Sequence, residues 1–206
     1  MEPTVRLLRP GEARRASVLL AAAFADDPFI GYFLRDRRRR ALALPPFFRA
    51  VLHDLLPAAG VYALEAEGVL AAVAAWASPG GLRSSRRSQS LARVAGLELR
   101  ALFPRASPRL LAGFAALAQR HPPLPHWYLA FIGVEPRWQR HGFGRALLAP
   151  ALSKADAAGI PCYLETPFPD TTAFYVRLGF KDGEQLHPVE GAPPIWTMTR
   201  PAARAN

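Results

Sequence analysis

The sequence predicts an α/β fold, with strands and helices alternating along the chain. Three observations predict it. Short runs with strand character alternate along the chain with longer stretches whose apolar residues recur at helical spacing. Half of the 206 residues are hydrophobic, enough for one good core and too short a chain for two comfortable domains, so residues 1–206 read as a single domain. A turn holding two glycines stands between an apolar strand and an apolar helix, a context in which a parallel-type sheet builds a binding loop.

The elements follow in order. Thr4–Leu8 alternates like a first strand. "PGEARRASVLLAAAFADDPF" opens with a turn and continues as a helix, with Val18, Leu19, Ala22 and Ala23 at helical spacing and Asp26-Asp27-Pro28 as its stop. Tyr32 to Leu56 reads as helix in two pieces broken at Pro45-Pro46. Val61–Glu65 and Val69–Trp76 form a hairpin around "AEG", and Pro79-Gly80-Gly81 breaks the chain. Residues 85–121 read as one or two Arg-studded helices split between Pro104 and Pro108. "HPPLP" is a loop leading to the strand Trp127–Gly133. A helix then runs to Gly159, Ile160–Glu165 is a strand, Thr172–Leu178 is a short helix, and Phe180 onward pairs with Ile195–Arg200. Pro150 lies inside a helix and should bend it.

Composition narrows the classes of function. No 18-residue apolar run occurs, and the Ala-rich stretches Leu19–Ala25 and Val69–Ala77 are too short to span a bilayer. The start "MEPTVRLLRPGEARR" lacks the order of a signal peptide, and Cys162 is the only cysteine, so a cytoplasmic location is expected. The net charge of +10 suits an anionic partner. The run Arg37–Arg40 is read as a solvated helix start rather than a nucleic-acid patch, because no aromatic residues interleave a basic stripe. His53, His121, His126 and His187 share no metal-like spacing and are read as structural.

The stretch "QRHGFGRALL", Gln139 to Leu148, carries the chemistry. Glycines at 142 and 144 before a helix let unpaired N–H groups face an anion. A Walker A loop fails, since Gly144 is followed by Arg145 and Ala146. A dinucleotide fingerprint fails at its third glycine, where Leu147 stands, and too little chain follows to complete such a fold. An acyl-coenzyme A loop remains. "GVEPRWQRHGFGRALL" resembles the acyl-CoA motif Q/R-x-x-G-x-G/A of the GCN5-related N-acetyltransferase (GNAT) superfamily, with Gln139, Gly142 and Gly144 in its fixed places. "YLETP" and "FYVRLGF" follow as further signatures. Together with "LAAAFADDP", "HWYLAFIGVEP" and "IWTMTRP" they are similar to the puromycin N-acetyltransferase-like members, over residues 3–30 and 126–201. Residues 31–125 are left as acceptor-side helices and a hairpin.

The resemblance implies a GNAT fold of about seven strands, splayed between the fourth and fifth, with acetyl-CoA as co-substrate and no metal. It implies that the backbone of Ile132, Gly133 and Val134 pairs with the pantetheine arm. Gln139, Arg140, His141, Gly142, Phe143, Gly144 and Arg145 would form the pyrophosphate loop. Thr171 stands where relatives commonly carry Asn, so one hydroxyl replaces an amide there. Direct transfer wants a base near the amine and an acid near the sulfur. Glu165, an acid ending a mostly apolar strand, and Tyr175 take those roles by the same resemblance. Cys162, at odd spacing from Glu165, faces the opposite side of its strand, with no His or Lys beside it in sequence. Phe24, Asp26, Asp27, Phe29 and Tyr32 cluster after the first helix as acceptor-pocket candidates, acid plus aromatics suiting an amine on an apolar body.

The expected activity is acetyl transfer from acetyl-CoA to a small primary amine, antibiotic-type amines included. A peptide or protein acceptor and a non-catalytic acyl-CoA-sensing module are the alternatives. The expected partners are acetyl-CoA and the amine, without nucleic acid or membrane, in a monomer or homodimer.

Overall fold

The computed structural model describes residues 3–58, 60–79 and 96–202. The chain break expected at Pro79-Gly80-Gly81 and the helical reading of 85–95 fall mostly or wholly outside these residues. Seven strands form one sheet in the order β1-β2-β3-β4-β5-β7-β6. They are β1 (Thr4–Leu7), β2 (Val61–Ala66), β3 (Val69–Ala77), β4 (Trp127–Val134), β5 (Cys162–Thr166), β6 (Lys181–Leu186) and β7 (Ile195–Arg200). The helices are α1 (Ala13–Ala23), α2 (Pro28–Phe33), α3 (Arg37–Leu55), α4 (96–102), α5 (Ser107–Ala118), α6 (Phe143–Ala157) and α7 (Pro169–Val176).

Strand periodicity divides the core into two layers. Val61, Ala63, Val73, Ala75 and Ala77 pack under α1 to α5, together with Leu20, Phe48 and Leu52. Tyr62, Leu64, Ala72, Ala74, Trp76 and Leu164 pack against Leu147, Leu148 and Ala151 of α6 and Tyr175 of α7. With helices on both faces, β3 is apolar throughout, as a central strand must be. The β2–β3 turn is Glu67-Gly68, both at positive φ (52° and 76°), a two-residue hairpin turn of the primed kind.

Two sequence expectations need correction. Pro45-Pro46 does not break the helix: α3 runs unbroken from Arg37 to Leu55, and the chain breaks instead between α2 and α3. The carbonyls that lose donors to the two prolines belong to Ala41 and Leu42, both exposed, so water can satisfy them. The arginine run is only partly solvated. Asp36 caps α3 by accepting from the N–H groups of Arg38 and Arg39. Arg40 is buried, donating to the carbonyls of Ala25 (3.0 Å) and Leu34, and so ties α3 to the turns that flank α2.

The sheet opens at its centre. β4 and β5 run parallel and pair only at Trp127↔Cys162, Tyr128↔Tyr163 and Leu129↔Leu164. Beyond Leu129, β4 follows β3 and β5 follows β7. The β3–β4 register slips between Ala75 and Trp76, which face Phe131 and Leu129, leaving Ala130 as an extra residue in β4. A bulge bends its strand, and this one sits where pairing with β5 ends. Gly133 lets α1 close over the diverging strand: a Cβ there would stand 2.9 Å from that of Ala23.

Candidate active site

The opening between β4 and β5 holds two cavities that share a wall of Phe24, Ala130, Phe131, Glu165 and Pro167. One is a cleft of about 990 Å³ on the Gly-loop side, lined by Ile132, Gly133, Val134, Gln139, Arg140, Gly142, Phe143, Gly144, Arg145, Thr171 and Tyr175. The other is a cavity of about 700 Å³ on the α1–α5 side. Phe24, Asp27, Phe29, Phe47, Phe114, His121, Tyr128, Phe131 and Glu165 contribute to its lining.

The cleft has an anion-binding end. Gly142 is the N-cap of α6 in the left-handed conformation (φ 80°, ψ 0°), and no side chain among the described residues caps the helix. The first donor inside the helix is the Ala146 N–H, to the Gly142 carbonyl, so the N–H groups of Phe143, Gly144 and Arg145 precede the intrahelical ladder. Arg140 also has positive φ (64°), unfavourable for a residue with a Cβ and most common where a loop serves a site. Beyond Leu129, the β4 edge turned toward β5 has no strand of the described residues beside it, which leaves room for an extended chain to pair there. These features fit the diphosphate and pantetheine parts of a coenzyme A.

Three expected cofactor residues have other partners. The Gln139 amide donates to the Val134 carbonyl at 3.2 Å and thereby pins the loop to β4. His141 does not line the cleft: its Nδ1 lies 2.8 Å from the Gln139 carbonyl and its ring turns toward Trp138 and Phe143. Thr171 donates its one hydroxyl proton to the Phe168 carbonyl, 2.8 Å away, and lies 2.8 Å from the Thr166 hydroxyl. It therefore presents a lone pair, not a donor, to the cleft.

Glu165 stands between the cavities with its side chain only 6% exposed. Tyr128 donates to its Oε2 at 2.9 Å and Tyr163 to its Oε1 at 3.0 Å. Burial raises its pKa above the ordinary carboxylate value, while the two phenol hydrogen bonds act in the opposite sense. His121 Nε2 lies 3.5 Å from Oε1. Burial and the neighbouring His126 pull the His121 pKa down to about 4, so the ring is neutral near pH 7. Tyr175 is buried against Phe174 and Phe180, and no hydrogen bond to its hydroxyl occurs among the described residues. Burial pushes the phenol further up, so it keeps its proton.

Among the acceptor candidates, Phe24, Asp27 and Phe29 line the aromatic cavity. Asp27 is buried, caps α2 by accepting from the Ile30 N–H (2.8 Å), and is pushed up to about 6 by burial. Tyr32 does not line the cavity. Its ring packs edge-on against Phe33 and its hydroxyl reaches the loop at Gly191, because α2 turns Phe29 inward instead. Asp26 is exposed and pairs with Arg37.

Sequence reasoning missed His121, Tyr128 and Tyr163. Tyr163 stands two residues before Glu165 and Tyr128 is its register partner, so strand alternation marks both. No local signal marks His121, which a Pro-rich loop returns to the sheet.

Cys162 is fully buried beneath α6, on the face opposite Glu165, and burial pushes its thiol up to about 11. A thiol so placed is a poor nucleophile. Cys162→Ala is expected to keep kcat within about threefold of the parent, far from the ~10²-fold or greater loss that removing a reacting group brings. Steady-state kinetics of the folded variant check this.

Residues 104–180 match the model of the acetyltransferase (GNAT) family. That segment includes β4, the Gly loop, α6, β5 and α7. An uncharacterized N-acetyltransferase of Schizosaccharomyces pombe is 35% identical over 54 residues, 26% of this chain. The match spans about a fifth of that relative (22%). Among solved structures, histone acetyltransferase HPA2 and related acetyltransferase from Corynebacterium glutamicum superposes with a TM-score of 0.74 at 24% identity, covering 100% of this chain and 99% of that one. An alanine N-acetyltransferase of a ribosomal protein from Escherichia coli gives 0.54 at 17% identity, covering 100% and 97%. An agmatine N-acetyltransferase gives 0.62 at 15% identity, covering 97% and 99%. The chain has the GNAT fold. The family match and the N-acetyltransferase relative support an acyltransferase of the GNAT superfamily, whose members use acetyl-CoA as co-substrate. Among the described residues, no helix is long and apolar enough to cross a membrane and no group of three or more His, Cys, Asp or Glu is placed to hold a metal ion.

Proposed function

We propose that the chain transfers the acetyl group of acetyl-CoA to the primary amine of a small molecule with an apolar or aromatic body. The observation that carries this reading is the position of Glu165, a buried carboxylate on the wall shared by an anion-binding cleft and an aromatic cavity. In this reading the cleft holds the coenzyme. The N–H groups of α6 and the arginines at 140 and 145 meet its diphosphate.

The amine enters from the aromatic cavity as an ammonium ion, which cannot attack until it loses a proton. Glu165, ionised and oriented by two tyrosines, takes that proton directly or through a water. The nitrogen then forms the C–N bond at the thioester carbonyl and the C–S bond breaks. Tyr175 serves the departing sulfur as a hydrogen-bond donor. Full transfer of its proton is uphill, because its pKa lies above that of an ordinary thiol.

The cavity supports an aromatic acceptor, antibiotic-type amines among them, as the resemblance to puromycin N-acetyltransferase-like members implies. The related folds include proteins named for histone, ribosomal-protein and agmatine acetylation, so the fold does not choose among acceptors. Peptide N-termini are the second reading, and amines without an apolar body are the control.

Release of coenzyme A is measured with acetyl-CoA and a panel of arylalkylamines, aliphatic polyamines and short peptides. The arylalkylamines are expected to turn over with the highest kcat/KM. Phe114→Ala removes one aromatic wall and is expected to raise their KM by about two- to tenfold, since an aromatic contact contributes roughly 0.5–1.5 kcal/mol, without changing acetyl-CoA affinity. Turnover of peptides alone would replace the small-molecule acceptor, and acetyl-CoA binding without turnover of any amine would leave a sensing module.

A further inference from the structure

We propose that His121 and His126 form the route by which the proton taken up by Glu165 leaves for solvent. The proposal rests on the acetyl-transfer reading above and deepens it. An ammonium nitrogen carries three protons and the amide nitrogen of the product carries one. The coenzyme thiolate takes up one of the two that are lost. One proton per turnover must therefore reach water, and the Glu165 side chain, only 6% exposed, meets little solvent of its own once both cavities are filled.

Among the described residues, three side chains meet the Glu165 carboxylate. Tyr128 and Tyr163 already donate to it, and burial holds both phenols far above their ordinary pKa. His121 alone of the three has a basic nitrogen lone pair to offer. The loop fixes which nitrogen carries it. His126 Nδ1 lies 2.8 Å from the Leu124 carbonyl, which only accepts, so this nitrogen bears the hydrogen. The Nε2 of a neutral His126 is then an acceptor, and it lies 3.4 Å from His121 Nδ1. His121 Nδ1 must carry the hydrogen of that contact, which leaves His121 Nε2 as a bare lone pair 3.5 Å from Glu165 Oε1. Both contacts are at the outer limit of a hydrogen bond and need to shorten by a few tenths of an ångström to conduct.

Polarity runs one way along this chain. His121 accepts at Nε2 and releases at Nδ1, and His126 accepts at Nε2. His126 is partly exposed on the Pro-rich loop; its imidazolium keeps the Nδ1 hydrogen on the Leu124 carbonyl and loses the Nε2 proton to water, and His121, left protonated at Nε2, returns to its Nδ1–H tautomer before the next turnover. The titratable groups facing His121 are Glu165 and Tyr163 from β5, Tyr128 from β4 and His126 from its own loop. The low pKa of His121 keeps its lone pair available near neutrality; because burial raises Glu165 while His121 lies near 4, the step from Glu165 to His121 is uphill and is drawn forward by loss of the proton to water.

A purely structural role is the competing account, since the His121 ring centre lies 4.3 Å from that of Tyr128 and 5.0 Å from that of Tyr163. His121→Phe keeps a ring in that stack and removes both nitrogens. His121→Ala leaves a hole that imidazole can enter. The readout is the steady-state rate of coenzyme A release over many turnovers, with the best amine of the panel and saturating acetyl-CoA, because an enzyme that starts with Glu165 ionised completes its first turnover without discharging the proton. Both variants are expected to be slowed by about 10²-fold, the lower end of what a positioned proton transfer contributes, with acetyl-CoA affinity unchanged. Added imidazole should accelerate the Ala variant in proportion to its concentration and leave the Phe variant slow. His126→Phe, on the half-exposed loop, gives a second test should His121→Ala not fold, and its rate should rise with imidazole concentration.

The same assay on Glu165→Gln separates the failures. A slow Glu165→Gln beside a His121→Phe within about threefold of the parent would remove the relay and leave Glu165 as base. Absence of imidazole rescue would also remove the relay. Unimpaired Glu165→Gln and His121→Phe enzymes would remove both the base and its route, and a parent inactive with every amine would remove the whole reading.

Discussion

Glu165→Gln is expected to lower kcat by roughly 10²–10⁴-fold, the span that general-base catalysis contributes, while acetyl-CoA affinity stays near that of the parent. Gln keeps the shape and still accepts one phenol hydrogen bond at its carbonyl oxygen; the other phenol must turn and accept from the amide NH₂. Only basicity is lost from the shared wall of the two cavities. The sign of the pH dependence follows from burial. The active form is the carboxylate, and burial favours the protonated form. The rate of the parent therefore climbs with pH through a pKa displaced above the ordinary glutamate value. In the variant that limb disappears. What remains is the ionisation of the free amine, so its rate keeps rising toward alkaline pH and the defect narrows there. The measurement is a pair of pH–rate profiles under single-turnover conditions. A Gln variant within about threefold of the parent near neutral pH would place the base elsewhere.

The order of elements was legible because it rests on local patterns. Glycines and prolines at 142, 144 and 136 mark the loop, and alternation along Cys162–Thr166 puts Glu165 and Cys162 on opposite faces, as found. The misreadings came where tertiary context decides. Pro45-Pro46 breaks an isolated helix, yet α3 tolerates both because the affected carbonyls are exposed and its inner face is held by Ala43, Leu44 and Phe48. Tyr32 and Phe29 look equivalent as aromatic candidates, and only the seating of α2 turns one inward and the other toward Gly191. His121 shows the limit most plainly. Nothing in "QRHPPLPHWY" says that its imidazole returns to the end of β5, since that depends on how the loop closes over the sheet. The two cavities likewise arise from a bulge at Ala130 and the end of β4–β5 pairing, neither of which a strand pattern announces.

Gly142→Val is expected to abolish measurable acetyl-CoA binding in a protein that still folds. The reason is conformational, because a Cβ on Gly142 would meet nothing within 4 Å. At φ 80° the residue occupies the left-handed region, where a Cβ costs roughly 1–2 kcal/mol and a β-branched side chain is a genuine outlier. Valine relieves that cost by turning the loop out of its left-handed step. The N–H groups of Phe143, Gly144 and Arg145 then no longer point the same way as those before the cap. A hydrogen bond to a charged group is worth about 1.5–3 kcal/mol, so misdirecting two of them weakens binding by about 10²–10⁴-fold. Gly142→Asn is the control, because Asn tolerates the left-handed region and should keep affinity within about tenfold of the parent. Steric blockage by any side chain would defeat both variants alike, whereas the conformational account separates them. Isothermal titration of acetyl-CoA into both proteins, with far-ultraviolet circular dichroism to confirm folding, makes the comparison. A folded Val variant that binds acetyl-CoA within about threefold of the parent would show that the α6 N-terminus does not hold the coenzyme's phosphates.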